Sequence, residues 1–135
     1  MFKSIGFHTD TRQTLVNLTG EVKAFVEETG VTEGICLVYC GHSTAGLVVN
    51  SYLDPKTPDD IVHELDRIVP TRVDFFHQFD TPSDASAHVK ATLTGTHVSI
   101  IIHEGKVLLG HSQGILFAEF DGPRDRSIQV KVLAG

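Results

Sequence analysis

Four histidines of this chain lie where a short polar cluster interrupts an apolar run, and this pattern constrains the fold most. They are His42 in GHSTAGLVVN, His77 in DFFHQF, His88 in SAHVKATL and His111 in LLGHSQGI. A packed apolar scaffold that presents polar side chains where its elements end produces such interruptions. Imidazole is the side chain best suited to bind a metal or to move a proton near neutral pH. The pattern therefore predicts a small domain built around a polar pocket.

Length and charge exclude several kinds of partner. The chain has 135 residues, of which 41% are hydrophobic, and a chain of this length forms one domain with a substantial core. We predict a single domain over residues 1–135. The formal net charge of -6 argues against binding to nucleic acid or to an anionic membrane. No segment resembles a signal peptide or a membrane-spanning helix, so we expect a cytoplasmic protein.

The apolar periodicity predicts a mixture of strands and helices in the order β-β-α-β-β-α-α-β-β-β-β. This order indicates an α+β fold, in which a mixed or antiparallel sheet, or a sandwich, is covered by packed helices. The first two strands, residues 2–8 and 12–18, are expected to form a hairpin around a turn.

Local signals predict where the second and third helices begin. Thr57 has the features of an N-cap, with Pro58 at the first helical position. The third helix is predicted to be short, from Ala87 to Leu93. It follows a long connection, residues 70–86, which has no regular period and is expected to carry function. That connection contains three aromatic residues, Phe75, Phe76 and Phe79.

Three of the histidines form a candidate metal site. His77 and His88 flank the long connection, and with His42 they supply the three protein ligands that a catalytic zinc site uses beside an open position. The spacing matches no established zinc signature, so ordinary hydrogen-bonded histidines are the alternative. His42 also lies in a glycine-flanked turn with Ser43 and Thr44, which suits an anion or a polarised substrate. A turn histidine that caps strand ends is the alternative there.

Two arginines form a candidate anion site. Arg124 and Arg126 lie in the segment DGPRDR and share one face if that segment is extended. The planar guanidinium recognises phosphate or carboxylate with two parallel hydrogen bonds. Pairing with the neighbouring acids Asp121 and Asp125 is the alternative.

Several motifs occur together in one order along nearly the whole chain. They are HSTAGLVVNSYLDP, Asp60 at the start of a helix, His77 after aromatic residues, AHVKATLTG, GKVLLGHSQGI and EFDGPRDR. In these motifs the chain resembles the YjbQ-type family, small proteins described as secondary thiamine-phosphate synthases. The chain departs from the family pattern at His111-Ser112, where the family usually has Thr-Trp before Gln113. Loss of the indole removes a large flat wall, which bears on the identity of the substrate.

The resemblance implies an α+β fold, a homotrimer and a pocket with a defined set of polar residues. The implied reaction joins a hydroxymethylpyrimidine diphosphate to a thiazole phosphate, so a phosphorylated small molecule is the expected partner. A divalent metal, zinc or magnesium, is the expected cofactor. The alternatives are a protein that binds metal and a phosphorylated metabolite with incidental activity, and a metal-dependent hydrolase. The expected roles are catalysis for His42 and Asp60, metal binding for His42, His77 and His88, and substrate or phosphate binding for Ser43, Thr44, Asn50, Lys90, Gln113, Arg124 and Arg126.

Overall fold

A computed structural model describes residues 1–77 and 81–135 of the chain. Within these ranges there are eight strands and three helices, in the order that the periodicity predicted. The α+β class is therefore confirmed. The strands are β1 (Phe2–His8), β2 (Thr14–Asn17), β3 (Gly34–Tyr39), β4 (Ala45–Ser51), β5 (His97–His103), β6 (Lys106–Val107), β7 (Gln113–Glu119) and β8 (Asp125–Ala134), and the helices are α1 (Thr19–Thr29), α2 (Lys56–Ile68) and α3 (Pro82–Thr94).

The strands form two antiparallel sheets. One has five strands in the order β1-β8-β3-β5-β6, and the other has three in the order β2-β7-β4. The first two strands thus belong to different sheets, and the predicted hairpin is wrong. The reason is that Thr9 continues the ladder between β1 and β8, because its N–H donates to the carbonyl of Arg124 at 2.9 Å. After β1 the chain therefore continues beside β8, and it does not turn back to pair with β1 as a hairpin would.

The three-stranded sheet lies between two apolar layers. On β7, Ile115 and Phe117 pack into a core shared with the five-stranded sheet and α1. Ala118 and Phe120 belong to a second cluster, together with Ala87 of α3. Because successive side chains of a strand point to opposite faces, β7 is buried on both sides. The second cluster seats α3 on the outer face of this sheet.

The helix starts differ from the expected ones. Helix α2 begins at Lys56, and its first turn is closed by Asp54, whose carboxylate accepts from the Lys56 N–H at 2.9 Å. Thr57 therefore lies inside the helix and caps nothing. The Thr-Pro signature operates instead at α3, where Thr81 is the N-cap and Pro82 the first helical residue. The N–H of Asp84 donates to the Thr81 hydroxyl at 3.2 Å.

Helix α3 is longer than expected and shortens the preceding connection. It runs from Pro82 to Thr94 and replaces the predicted span from Ala87 to Leu93. Phe79, one of the three aromatic residues of that connection, lies outside the described residues. No helix in the described part of the chain is long and apolar enough to cross a membrane.

Candidate functional site

Two histidines and one aspartate converge on a single point. Candidate ligand atoms of His77, Asp84 and His88 all lie within 4.8 Å of one another. The Asp84 Oδ2 atom lies 2.6 Å from His77 Nε2 and 3.2 Å from His88 Nε2. Within the described residues this is the group of three that has the geometry to hold a metal ion. We call it the His-Asp-His cluster.

Helix α3 supplies two members of the cluster through its own geometry. Asp84 and His88 are four residues apart, so both side chains leave the same face of the helix. The Thr81 cap fixes where that helix begins, and it therefore fixes the position of Asp84 along the helix axis. His88 is held from its other ring nitrogen, because Nδ1 donates to the carbonyl oxygen of Ser43 at 3.1 Å. That contact orients Nε2 toward Asp84, as outer hydrogen bonds orient metal-binding histidines.

The protonation of this cluster favours a cation. A carbonyl oxygen only accepts, so Nδ1 of His88 carries a proton and Nε2 of the neutral ring presents a lone pair to Asp84. A lone pair that faces a carboxylate requires either a proton or a metal ion between them. Burial raises the pKa of Asp84, but the hydrogen bond with His77 and the charge that His88 carries when it is protonated outweigh burial and lower the pKa overall. Asp84 is therefore an anion that attracts positive charge.

The donor set discriminates between the two expected metals. Two imidazole nitrogens and one carboxylate suit zinc, whereas magnesium prefers oxygen ligands and retained waters. Bonds of about 2.0–2.2 Å to a tetrahedral zinc ion place two ligand atoms about 3.3–3.6 Å apart. The separation of 3.2 Å between His88 and Asp84 is close to the lower end of this range. The separation of 2.6 Å between His77 and Asp84 is that of a direct hydrogen bond, and it must lengthen to admit an ion.

The cluster forms one wall of a cleft of about 460 Å³. Arg124 lines the same cleft, and its side chain is 50% exposed. Its guanidinium is held by Asp121, whose carboxylate accepts from Nη2 at 2.9 Å and whose carbonyl accepts from Nε at 2.9 Å. No hydrogen bond within residues 1–77 and 81–135 engages the other N–H donors of Arg124, which can therefore serve an anion. The cleft is lined by Gly41, His42, Ser43, Thr44, His77, Asp84, His88, Arg124 and Arg126.

Arg126 serves the cleft differently from Arg124. Its side chain is buried, and Nε donates to the carboxylate of Glu119 at 2.7 Å. Its Nη2 atom donates to the Thr44 hydroxyl at 2.9 Å, and the same carboxylate accepts from the Thr9 hydroxyl at 2.9 Å. Burial raises the pKa of Glu119, but the hydrogen bonds from Arg126 and the backbone outweigh it and lower the pKa. Arg126 therefore builds the base of the cleft and fixes Thr44.

His42 lines the cleft but does not belong to the His-Asp-His cluster. Its Nε2 atom accepts from the backbone N–H of Ser127 at 3.0 Å. Of the predicted ligands His42, His77 and His88, the described residues bring together His77 and His88, and the third member of that group is Asp84. Burial, and then the charge of Arg126, lower the pKa of His42, so the ring is neutral near pH 7.

Four of the predicted site residues are not among the described residues that line this cleft. Asp60 is exposed on α2 and is not among the residues that line it. Asn50 caps its own strand end, where its side-chain oxygen accepts from the Ser51 N–H at 2.7 Å. Gln113 likewise accepts from the Gly110 N–H at 2.8 Å.

Lys90 is the fourth residue that the structure places elsewhere. Its side chain has no solvent exposure, and Nζ donates to Gln13 and Asp66 at 2.6 Å each. Because Lys90 follows His88 by two residues, the two side chains leave nearly opposite faces of α3. The ammonium group therefore ties α3 to α2 and to Gln13, the residue before β2, and it lies away from the face of α3 that carries His88.

Sequence reasoning missed two acids that organise the site. Asp84 carried a usable signal, because the Thr81-Pro82 cap predicts a helix in which it lies one turn before His88. Glu119 stands inside the quoted segment EFDGPRDR, but an isolated acid at the end of an apolar strand has no local signature. Its pairing with Arg126 depends on how two sheets meet.

Together the fold and the site define an α+β protein of two antiparallel sheets with a histidine-rich cleft beside its third helix. The family described as "UPF0047 protein YjbQ-like" matches residues 3–135, and the chain belongs to this family. The UPF0047 protein YugU of Bacillus subtilis is 36% identical over 135 residues, covering 98% of this chain and 99% of that protein. A UPF0047 protein of Methanocaldococcus jannaschii is 40% identical over 125 residues, covering 93% and 88%.

A solved structure shows the same architecture. The protein from Sulfolobus solfataricus P2, described as a YbjQ-like protein of unknown function, superimposes with a TM-score of 0.94 at 32% identity, covering 100% of this chain and 97% of that one. This likeness agrees with the element order and the antiparallel sheets described above.

Proposed function

We propose that this chain is a zinc-type metal-dependent enzyme that acts on a phosphorylated small molecule in the cleft, with thiamine-phosphate synthase chemistry as its first candidate reaction. The observation that carries the proposal is the convergence of His77, Asp84 and His88 in the same cleft as Arg124. The cluster suits a cation, and Arg124 offers a guanidinium to an anion in the same cleft. A phosphorylated ligand can bind both a metal ion held by the cluster and the guanidinium of Arg124.

The candidate reaction matches the charges of the cleft. The thiazole nitrogen forms a bond to the methylene carbon of the pyrimidine while the bond from that carbon to the diphosphate oxygen breaks. The departing diphosphate takes the bonding electrons and needs positive charge around it. Arg124 supplies one such charge, and a metal bound by the His-Asp-His cluster would supply more. The synthase assignment itself comes from the resemblance described above.

Metal-dependent hydrolysis is the second candidate, and the size of the ligand set favours it. Three protein ligands leave an open coordination position, which in hydrolytic enzymes holds the attacking water. The chain also lacks an aspartate-rich diphosphate motif. Phosphate-ester hydrolysis would use the same cluster and the same Arg124, so one assay can separate the two reactions.

The test uses purified protein loaded with zinc and, separately, treated with a chelator. Both samples are given the pyrimidine diphosphate and the thiazole phosphate, together and singly, and the products are resolved by chromatography. Synthase activity requires both substrates and yields a joined product with diphosphate. Hydrolysis releases phosphate from one substrate alone. Absence of both products, with pyrophosphate still bound, would leave the chain as a metabolite-binding protein.

Arg124 offers a matched pair of variants for this assay. Arg124→Lys keeps the charge but loses the planar fork, so we expect phosphate affinity to fall while folding and zinc content persist. Arg67→Lys is the control, because Arg67 also pairs with an acid three residues before it on an exposed surface. Arg67 lies on α2 and does not line the cleft, so this variant should behave as the parent protein.

We further propose that the chain assembles as a homotrimer through the outer face of the five-stranded sheet. Leu133, Ile35 and Ile101 stand side by side in register across three neighbouring strands. Their exposed fractions are 54%, 50% and 58%. A continuous apolar row on the face of a sheet is typical of a surface that contacts another chain. The threefold symmetry itself is an expectation from the resemblance.

A further inference from the structure

The proton of the His42 ring is located by a single backbone contact. Nε2 of His42 accepts from the N–H of Ser127 at 3.0 Å. A backbone amide can only donate, so Nε2 carries no proton in this arrangement. In the neutral ring the proton is therefore on Nδ1, which makes that nitrogen a donor.

The protonated nitrogen reaches the cleft. No hydrogen bond within residues 1–77 and 81–135 engages Nδ1 of His42, yet no buried side-chain nitrogen or oxygen in those ranges lacks a partner. Nδ1 is therefore accessible. His42 lines both the main cleft beside Arg124 and a smaller adjoining space of about 290 Å³ beside Ala45 and Thr96. His42 thus has an accessible N–H and borders space that a ligand can enter.

The ring is also held in place. Its plane meets the ring of Phe117 edge-on, with centroids 6.3 Å apart and an interplanar angle of 87°. The turn that carries it is fixed at both ends, because the Cys40 N–H donates to the Thr96 carbonyl at 2.7 Å and the Thr44 carbonyl accepts from the Phe120 N–H at 3.2 Å. A donor held in this way needs little reorganisation when a ligand arrives.

We infer that His42 is a specificity-determining residue, a neutral donor whose Nδ1–H binds an anionic oxygen of the ligand and which is neither a metal ligand nor a general base. The inference rests on the proposed function, since it assigns one contact to a phosphorylated ligand in the same cleft. A protonated Nδ1 cannot coordinate a metal or accept a proton. The opposite tautomer would set two N–H groups, those of Nε2 and Ser127, against each other. Together with Arg124, His42 would surround a phosphate oxygen with donors and leave the metal to the His-Asp-His cluster.

The first experiment locates the proton directly. Long-range proton–nitrogen correlation spectra of the intact protein, with the ring assigned through His42→Gln, distinguish a protonated from an unprotonated ring nitrogen. We expect Nδ1 protonated, Nε2 unprotonated, and a shift of the Nδ1 signal when inorganic pyrophosphate is added. A proton on Nε2, or coordination of Nδ1 upon addition of zinc alone, would overturn the inference.

Two variants test the function of the donor. In His42→Asn the amide nitrogen falls near the position of Nδ1, whereas in His42→Gln the amide replaces the Nε2 side of the ring and leaves no donor at Nδ1. We expect the Gln variant to bind pyrophosphate about 10- to 100-fold more weakly, the cost of one hydrogen bond to a charged group, and the Asn variant to retain most of the affinity. Zinc content should be unchanged in both variants.

The outcomes separate this inference from the proposed function. If His42→Gln binds pyrophosphate as the parent does, the donor role is wrong while the phosphate site stands. If the parent protein itself does not bind pyrophosphate, the proposed function loses its anion site and the donor role falls with it. Should either variant unfold, the spectra of the parent protein still decide where the proton is.

Discussion

Glu119 on β7 and Arg126 on β8 form a buried ion pair that joins the two sheets of the fold. The Glu119 side chain has no solvent exposure, and its Oε2 accepts from Arg126 Nε at 2.7 Å. The strands that carry the pair belong to different sheets, so the contact fixes one sheet against the other. Arg126 also binds Thr44, and the pair therefore determines the position of the turn that carries His42.

Removing the charge of Glu119 should strongly destabilise the protein. Glu119→Gln leaves the guanidinium of Arg126 buried without an anion, and breaking such a pair costs about 3–5 kcal/mol. Chemical denaturation at pH 7 measures the difference. Glu21→Gln is the control, because Glu21 is exposed on α1, and a surface change of this kind stays within about 0.5 kcal/mol. A Glu119→Gln variant as stable as the control would mean that the pair contributes nothing net.

The same pair predicts a pH dependence with a definite sign. The pKa of Glu119 is lower in the folded state than its ordinary value of about 4.3. The folded state therefore binds fewer protons than the unfolded state as the pH falls below about 5. The stabilisation by Glu119 is fully present above its unfolded pKa and is lost as the pH falls through its folded pKa. The stability difference between the parent and Glu119→Gln should be largest near pH 7 and shrink below pH 4.

Lys90 and Asp66 should respond unequally to truncation. Lys90 is completely buried, whereas the side chain of Asp66 is 40% exposed. Asp66→Ala leaves the buried ammonium of Lys90 without its carboxylate partner. We expect the free energy of unfolding to fall by about 3 kcal/mol. Lys90→Met keeps the volume and leaves a carboxylate that water can reach, so its cost should be less than half of that. Denaturant melts of both variants beside Asp60→Ala, an exposed change on the same helix, test this order. Equal costs for the two would contradict the argument.

The periodicity predicted the element order because each strand and helix has its own apolar pattern. It did not predict that β1 pairs with β8, since those partners come from opposite ends of the chain. It also placed the Thr-Pro helix start at Thr57, although the same two residues at Thr81 are the ones that cap a helix. At the start of α2, Asp54 accepts the first hydrogen bond in place of a threonine. Nothing in the local sequence distinguishes the Thr-Pro pair at Thr57 from the one at Thr81.

The candidate site was predictable where neighbours on one element decide the geometry. Helical spacing alone places Asp84 and His88 on one face of α3 and Lys90 on another, so this part of the site could be predicted from the sequence. The different roles of Arg124 and Arg126 could not be predicted from the sequence. The buried face of β8 receives Arg126, and its partner comes from the other sheet, an arrangement that only the packed fold determines.

Asp84 should be essential for metal binding, and Asp60 should not. Asp84→Ala removes one of the three proposed ligands, and even the loss of an outer hydrogen-bond partner costs about 10- to 100-fold in metal affinity. We therefore expect zinc affinity to fall by more than about 100-fold. Asp60→Ala, an exposed carboxylate outside the cleft, should bind zinc as the parent does. Competition with a chromogenic chelator gives both affinities, and equal zinc binding by the two variants would rule out the His-Asp-His cluster.

The exposed row on the five-stranded sheet predicts how assembly can be disrupted. Ile101→Lys places a charge in the middle of the proposed contact, and burying an unpaired ammonium there costs several kcal/mol. Because Ile101 is 58% exposed, the fold of each chain should survive. Light scattering should therefore show a trimer for the parent and smaller species for Ile101→Lys. Val73→Lys is the control, since Val73 is 84% exposed and lies outside both sheets. A parent protein that is monomeric at micromolar concentration would refute the proposed assembly, and a fully trimeric Ile101→Lys would move the contact to another face.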